Sequence, residues 1–384
     1  MTQTVAIDKL SLKSLTLLLA VVAWLPPSPA DAQERFAKAV RDGLLRRAQV
    51  WMAPPPLGDP AALERNPEGP GGFEASASVE CRFEASGVGG STPKFDCELP
   101  DGDEVKVKYG RDNPEVFSEV IASRLLAAIG FPADRMYVVE RVRCFGCPPE
   151  PFKALQCLND GTPKAQCFPK IDYDKSVTFE DAVIERPIKG LRIELRRDRG
   201  WRWDELSKID PAAGGAPRSH VDALRLMGVF LAHWDNKSKN QRLLCPGTPK
   251  SGVDGKAISQ VAPPCDMPLA MVHDLGDAFG PFKLDLEGWR QFPVWADAAA
   301  CRVSMMTLPY GGSTFPDTTI SEAGRAFLAE RLRALTPDHL RALLSGARLE
   351  RYRPAKGMTF PIDEWVHTFQ EKIAAVVDRP ACPR

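Results

Sequence analysis

The stretch His233-Trp-Asp-Asn-Lys-Ser-Lys-Asn240, read together with Asp274-Leu-Gly276 further along, decides how this chain is understood. It fits the pattern His-x-Asp-x-Lys-x-x-Asn, which sets the carboxylate of Asp235 a short loop ahead of the amide of Asn240, and Asp274 then adds a second carboxylate. Phosphoryl transfer asks for these residue types: one carboxylate beside an attacking hydroxyl, and oxygen ligands for the Mg²⁺ or Mn²⁺ ions that neutralise phosphates. The competing reading is local. His233 and Asp235 would be the polar end of a helix, and Asp274-Leu-Gly-Asp277 a plain turn, because Asp-x-Gly also marks turns.

The context favours the first reading. Between Ser219 and Ala232, Val221, Leu224, Leu226, Met227, Val229, Phe230 and Leu231 have the density of a buried helix, which would deliver His233 from the interior. Beyond Asn240, the apolar runs 242–245 and 269–272 predict two short strands around a Pro- and Gly-rich insertion. Nothing local forces Asn240 and Asp274 together; pairing of those two strands would.

Upstream, alternation predicts strands at Val79–Glu84, Lys94–Leu99 and Glu104–Tyr109, a meander whose first turn is Ser86-Gly-Val-Gly-Gly-Ser-Thr-Pro93. Gly87, Gly89 and Gly90 would let backbone N–H groups approach phosphate oxygens, which makes this turn a candidate nucleotide cradle. The alternative is an ordinary flexible hairpin. On the third strand Lys106 and Lys108 share one face, and Val105 and Val107 the other. Asn113 to Gly130 reads as a helix, with Pro114 in its first turn, Gly130 at its end, and Glu115 and Glu119 on one face. A strand lysine and a glutamate on the next helix either form the ion pair that positions phosphates or remain solvated surface charges. Alternation does not choose between Lys106 and Lys108. Further strands are expected at Arg135–Val142 and Phe179–Ile188, with a hinge at Pro187-Ile-Lys-Gly190. The remainder reads as helical, with starts at Ser321-Glu322 and Thr336-Pro-Asp-His339.

The composition is that of a globular chain with a sizeable core: 384 residues, 44% hydrophobic and 26% charged. Lys plus Arg and Asp plus Glu both number 50, so no global field points to nucleic acid or an anionic membrane surface as partner. Residues 1–32 read as a signal peptide. Lys9 and Lys13 precede the apolar run Leu15–Leu25, and Ala30-Asp-Ala32 offers a small-x-small site with cleavage after Ala32. That run is shorter than the roughly 18 to 20 residues of a spanning helix, so no spanning helix is expected after cleavage. The expected address is exported, either periplasmic or extracellular. Residues 33–74 are read as an amphipathic helix (33–52) followed by a Pro- and Gly-rich linker, 75–190 as a first lobe with a Cys-rich insertion, and 191–384 as a second, helical lobe.

Ten cysteines, even in number, suit disulfides in an oxidising compartment. Cys81 and Cys97 fall on facing strands and are expected to be bridged. Cys144, Cys147, Cys157 and Cys167 could instead form a four-thiolate zinc site.

With these stretches in order, the chain resembles the protein-kinase-like superfamily in its divergent branches: HipA-like, phosphatidylinositol-kinase-like and secretory-pathway kinase-like proteins. Gly89-Gly-Ser-Thr-Pro-Lys-Phe95 is similar to the Gly-Gly-x-x-Pro-Lys segment of HipA-like proteins. Val272-His-Asp-Leu-Gly-Asp-Ala-Phe-Gly280 is similar to the His-x-Asp-Phe-Gly segment of lipid kinases. The resemblance covers residues 75 to 350 in outline and implies an α+β, bilobal protein-kinase-like fold, with a small antiparallel-sheet N-lobe and a mainly helical C-lobe. By the same resemblance ATP is the cofactor with Mg²⁺ or Mn²⁺. Lys108 would hold phosphates, Glu119 would orient it, Asp235 would act on the nucleophile, and Asn240 and Asp274 would bind metal. Leu275 stands where Phe is usual, Trp234 where Arg is usual, and the insertion between Asn240 and Asp274 is long.

The function implied is that of an exported phosphotransferase moving the γ-phosphate of ATP to a hydroxyl on a protein, lipid or glycan acceptor. Two other readings stay open: a kinase-fold binding or scaffold protein without turnover, and transfer of nucleotide from an inverted ATP.

Overall fold

Every second residue of Ser78–Glu84 is buried, and that alternation starts the first half of the structure. The computed structural model describes residues 29–195, 199–247, 264–309 and 311–383. Most of the segment read as a signal peptide, and of the insertion between the expected strands 242–245 and 269–272, lies outside these residues.

Helix α1 (Pro29–Arg46) stops short of residue 52, where the sequence reading carried it. Arg47 N and Ala48 N turn back onto Leu44 O and Leu45 O, and the chain then extends so that Gln49 bridges Leu269. Buried Arg41 docks the helix: its Nη1 and Nη2 donate to Glu205 at 3.1 and 2.7 Å, and Nη2 also reaches Gly200 O at 2.8 Å. The stretch expected to be irregular linker contains one helical turn, α2 (Ala61–Glu64), begun by Asp59 Oδ1 accepting from Ala61 N at 3.0 Å.

Strands β1 (Ser78–Glu84), β2 (Lys94–Glu98) and β3 (Glu104–Tyr109) form the expected meander. Helix α3 (Glu115–Ala128) follows, then β4 (Arg135–Phe145), α4 (Pro151–Asn159), α5 (Lys164–Cys167) and β5 (Ser176–Arg186). The pairs β1/β2, β2/β3, β3/β5 and β4/β5 are antiparallel, as expected, but the strand order β1-β2-β3-β5-β4 closes into a barrel through β1/β4, where an open sheet was expected. β4 runs past the expected Val142 to Phe145, β5 starts at Ser176 and stops at Arg186 where Phe179–Ile188 was expected, and the far part of β4 pairs parallel with β1, from Ser78↔Arg141 to Arg82↔Phe145. Closure leaves no open edge on these strands. Phe83, Phe95, Val107, Tyr137 and Ile184 fill the interior.

Helix α3 is buried on all sides from Glu115 to Leu126: it packs against the outside of β4 and β5, through residues such as Met136, Val138 and Val183, and shares one core with the second half. That half comprises β6 (Gly190–Arg192), α6 (Arg218–Phe230), β7 (Gln241–Pro246), β8 (Leu269–Val272), α7 (Leu286–Gln291), the pair β9 (Arg302–Val303) and β10 (Thr318–Thr319), α8 (Glu322–Arg333), α9 (Pro337–Gly346) and α10 (Ile362–Val377). Strands β6-β7-β8 form an antiparallel sheet. Ser321 and Thr336 cap α8 and α9, as their sequences lead one to expect. The whole is a mixed α+β structure. Among the described residues no helix is long and apolar enough to cross a membrane.

All ten cysteines are paired: Cys81–Cys97, Cys144–Cys147, Cys157–Cys167, Cys245–Cys265 and Cys301–Cys382. The four-thiolate zinc alternative is thereby replaced by two separate disulfides, because the turn at Gly146 (φ 79°) folds Cys147 back onto Cys144. Full pairing is compatible with an oxidising compartment.

Candidate functional site

Apolar α6 ends at Phe230, and Ala232, in the left-handed region at φ 49°, turns the chain out of the core. His233 stays inside, and among the described residues neither ring nitrogen has a hydrogen-bond partner. Burial lowers its pKa to about 4, against the opposing pull of Asp274 and Asp235. Asn236, which sequence reasoning passed over, pins the loop: its Oδ1 accepts from Ser313 Oγ at 2.9 Å and Thr314 N at 2.8 Å, and its Nδ2 reaches His233 O at 3.2 Å. Asp235 Oδ2 accepts from Lys237 Nζ at 2.7 Å, while Oδ1 has no partner among the described residues. Asn240 Nδ2 donates to Asp235 O at 2.7 Å, so the loop closes on itself.

Strand pairing then does what local structure could not. With Gln241 opposite Val272 in the β7/β8 register, Asn240 O accepts from His273 N at 3.0 Å and from Asp274 N at 3.2 Å. Asp235, Asn240 and Asp274 are therefore gathered in one place.

Lys108 reaches the same place from β3. It is 1% exposed, and its Nζ contacts Glu119 and lies 3.2 Å from Glu115. Lys106 keeps a partly exposed side chain whose nearest carboxylate is Glu185 at 3.9 Å. Burial opposes the charge on Lys108, but Glu119, Glu115, Asp274 and Glu185 hold its pKa well above the usual lysine value. For Asp274 the balance runs the other way: burial opposes ionisation, yet Lys108, Lys94, His273 and Lys106 hold its carboxyl well below the usual range. Ser118 Oγ donates to Gly276 O at 2.9 Å and ties α3 to the Asp274-Leu-Gly turn.

Glu115, the other glutamate on the expected face of α3, gathers the rest of this cluster, in which Lys94, Lys283 and Asp277 carried no role from sequence. Glu115 accepts from Lys94 Nζ at 2.8 Å and Lys283 Nζ at 2.6 Å, and Lys283 also lies 3.2 Å from Asp277. Burial, reinforced by Glu115, Asp274 and Asp235 and resisted by Lys283, pushes Asp277 up to about 7. Lys94 stands in the quoted Gly-Gly-Ser-Thr-Pro-Lys stretch and Asp277 in the quoted Asp-Leu-Gly-Asp stretch, whereas Lys283 carried no signal. The glycines of that stretch divide. Gly90 (φ 89°) sits over Lys94, and a Cβ there would lie 3.0 Å from its Nζ. Gly87 faces Asn159 of the Cys-rich insertion, whose Nδ2 donates to Val88 O at 2.7 Å, and around Gly89 there is open space.

A second network backs the first. Asp134 Oδ2 accepts from Arg242 Nη1 at 2.7 Å and meets His273 Nδ1, while its Oδ1 accepts from Ile188 N at 2.9 Å. The start of β4, the expected hinge and the residue before Asp274 are thus held by one carboxylate. A cavity of about 610 Å³ runs along the C-terminal half of α3, lined by residues such as Leu63, Ala127, Phe131 and Met136, and includes none of the site residues named from sequence.

No protein-family model matches this chain, and no curated protein matches it. Among solved structures it is similar to the crystal structure of a Helicobacter pylori proinflammatory kinase, CtkA, with a TM-score of 0.35 and 12% identity, over 78% of this chain and 95% of that chain.

Proposed function

We propose that this protein is an exported, ATP-dependent phosphotransferase of kinase-like, bilobal build, with residues 75–190 as the nucleotide-covering lobe and 191–384 as the lobe that holds metal and acceptor. One observation carries the proposal: Asp274 is hydrogen-bonded through its backbone to Asn240 and is electrostatically coupled to Lys108, the lysine held by Glu119.

The residues present suit a divalent cation. Asp274 is held ionised, and Asn240 spends its amide nitrogen on Asp235 O, which leaves its side-chain oxygen to meet a cation. A bound Mg²⁺ or Mn²⁺ supplies neutralisation of phosphate charge. Asp235 accepts the hydrogen bond of the acceptor hydroxyl on its unpartnered Oδ1, while Lys237 steadies Oδ2. Lys108 meets nucleotide phosphates. Lys94 and Lys283, gathered on Glu115, give the site further cations for the same anion. Gly90, above Lys94, lets backbone approach the phosphates without a side chain in the way.

The test uses purified, oxidised protein with labelled ATP and Mg²⁺ or Mn²⁺, with and without extract of its compartment, read by product mass. A phosphate adduct on a protein, lipid or glycan supports the proposal. A nucleotide adduct would replace it with nucleotidyl transfer. Absence of metal-dependent ATP binding by calorimetry would overturn it in favour of a scaffold.

A further inference from the structure

Two of the five disulfides meet inside the barrel. Cys81 lies on β1, Cys97 on β2 and Cys144 on β4, and the three sulfurs all fall within 4.8 Å of one another. Across the two disulfides Cys97 Sγ lies 3.8 Å from Cys144 Sγ. Parallel closure of the barrel produces this meeting, since Cys81 and Cys144 are register partners in β1/β4. All three cysteines are buried, but Cys147, the partner of Cys144, is half-buried at the turn leaving β4. The other disulfides fall elsewhere: Cys157–Cys167 joins α4 to α5, and Cys245–Cys265 and Cys301–Cys382 lie in the second half.

A thiolate exchanges with a disulfide when it reaches one of its sulfurs, and the rate depends on access as well as on thiolate character. In the oxidised protein Cys144 is a disulfide sulfur and does nothing. Once its bond to Cys147 is broken, Cys144 becomes a thiolate adjacent to an intact disulfide, shielded from external thiols.

We propose that Cys144–Cys147 is an entry site for a dithiol reductant, and that exchange passes from it to the Cys81–Cys97 bridge. The external thiolate attacks Cys147 Sγ, forming a mixed disulfide and releasing Cys144 as thiolate. The second thiol of the reagent then resolves the mixed disulfide, so the reagent leaves as its cyclic disulfide and Cys147 as a thiol. Cys144 attacks Cys97 Sγ, the Cys81–Cys97 bond breaks, and Cys81 leaves as thiolate. The balance is one dithiol oxidised, two protein disulfides reduced to one, and two protein thiols formed. Cys81, the register neighbour of Cys144, can exchange in turn, so the surviving disulfide is shared among three sulfurs. Cys81–Cys97 spans the hairpin that carries Gly87, Gly89 and Gly90, so reduction at the half-buried Cys147 reaches that loop through the barrel core.

Two arms test this. In the first, the wild-type protein is treated with limiting dithiothreitol, quenched with an alkylating reagent and mapped by non-reducing peptide mass spectrometry. The expected result is a peptide linking Cys144 to Cys97 or Cys81, with label on Cys147 and on the displaced cysteine, while the other three disulfides stay intact. Label on both Cys144 and Cys147 with Cys81–Cys97 unbroken would overturn the proposal. The second arm uses Cys147→Ser without reductant, in which Cys144 begins unpaired. Recovery of Cys144 in a bridge, with a free thiol on Cys81 or Cys97, supports exchange; a labelled Cys144 beside an intact Cys81–Cys97 bridge overturns it.

Discussion

Asn240 and Asp274 are joined through the main chain: the carbonyl of Asn240 accepts from the amide of Asp274 at 3.2 Å, and from that of His273 at 3.0 Å. This contact belongs to the end of the β7/β8 ladder, so the two side chains are set by sheet geometry and not by their own attraction. Replacing Asp274 with Ala should leave the backbone contact in place and remove the carboxylate. The expected outcome is loss of Mg²⁺- or Mn²⁺-dependent ATP binding by about tenfold or more, equivalent to ~1.4 kcal/mol or above, read by calorimetry. Asp235→Ala should largely spare that binding and stop transfer, because its carboxylate faces the nucleophile. Retention of full metal-dependent binding in Asp274→Ala would remove Asp274 from the metal site.

Lys108 is expected to matter to stability as well as to binding. Its removal leaves Glu119 buried without its nearest cation, whereas Glu115 keeps Lys94 and Lys283. Breaking a buried pair by deleting one partner costs about 3 to 5 kcal/mol, and because burial pushes the Glu119 carboxyl well above its usual range, so that it can take up a proton when the lysine is gone, this case falls at or below the lower end. Lys108→Met should therefore lower the thermal midpoint clearly and weaken ATP binding, whereas Lys106→Met, at a partly exposed side chain 3.9 Å from Glu185, should do less of both. Equal effects from the two substitutions would sink the assignment of Lys108.

Gly276 offers a steric test of how Asp274 is held against α3. A Cβ at this position would lie 2.6 Å from Glu115 Cγ and 3.2 Å from Glu119 Oε1. Glu115 cannot swing away freely, since two lysines hold its carboxylate. Gly276→Ala should destabilise by about 1 to 3 kcal/mol, the usual scale of overpacking. Adding Glu115→Ala should recover part of that loss by opening the space. A double variant whose loss is the sum of the two single losses would refute the contact.

Legibility from sequence followed the length scale of the cause. Strand alternation, helix caps and the loop from His233 to Asn240 are local, and they appear where the residues placed them. The pairing of β7 with β8 was legible because two apolar runs flank one insertion, and convergence of Asn240 with Asp274 follows from it. Barrel closure was not legible: the parallel contact from Ser78↔Arg141 to Arg82↔Phe145 joins distant strands and leaves no mark on either beyond extra length. The same holds for Glu115, whose partners Lys94 and Lys283 arrive from different halves of the chain. Asp134 lies between the expected helix end at Gly130 and the expected strand at Arg135, where no element is marked, and only the fold shows it gripping Arg242 and His273.

His233 supplies a pH dependence whose sign is fixed by its burial. In the unfolded chain its pKa is near 6.5, and in the folded protein burial brings it to about 4, with neither ring nitrogen hydrogen-bonded. Between these values the unfolded chain binds the proton and the folded protein does not. The stabilisation is therefore fully present above the unfolded pKa and is lost as pH falls through the folded one. The difference corresponds to about 3 kcal/mol. Carboxylates held low, Asp274 and Glu185 among them, destabilise in the same direction at more acid pH, so the wild-type profile alone does not isolate the histidine. His233→Leu should keep the apolar packing against Trp203 and lack the titrating ring. Chemical denaturation at pH 7 and at pH 4.5 should then show a smaller fall in stability for the variant than for the wild type, by about 2 kcal/mol. An equal fall in both proteins would mean that His233 is protonated, or finds a partner, in the folded state.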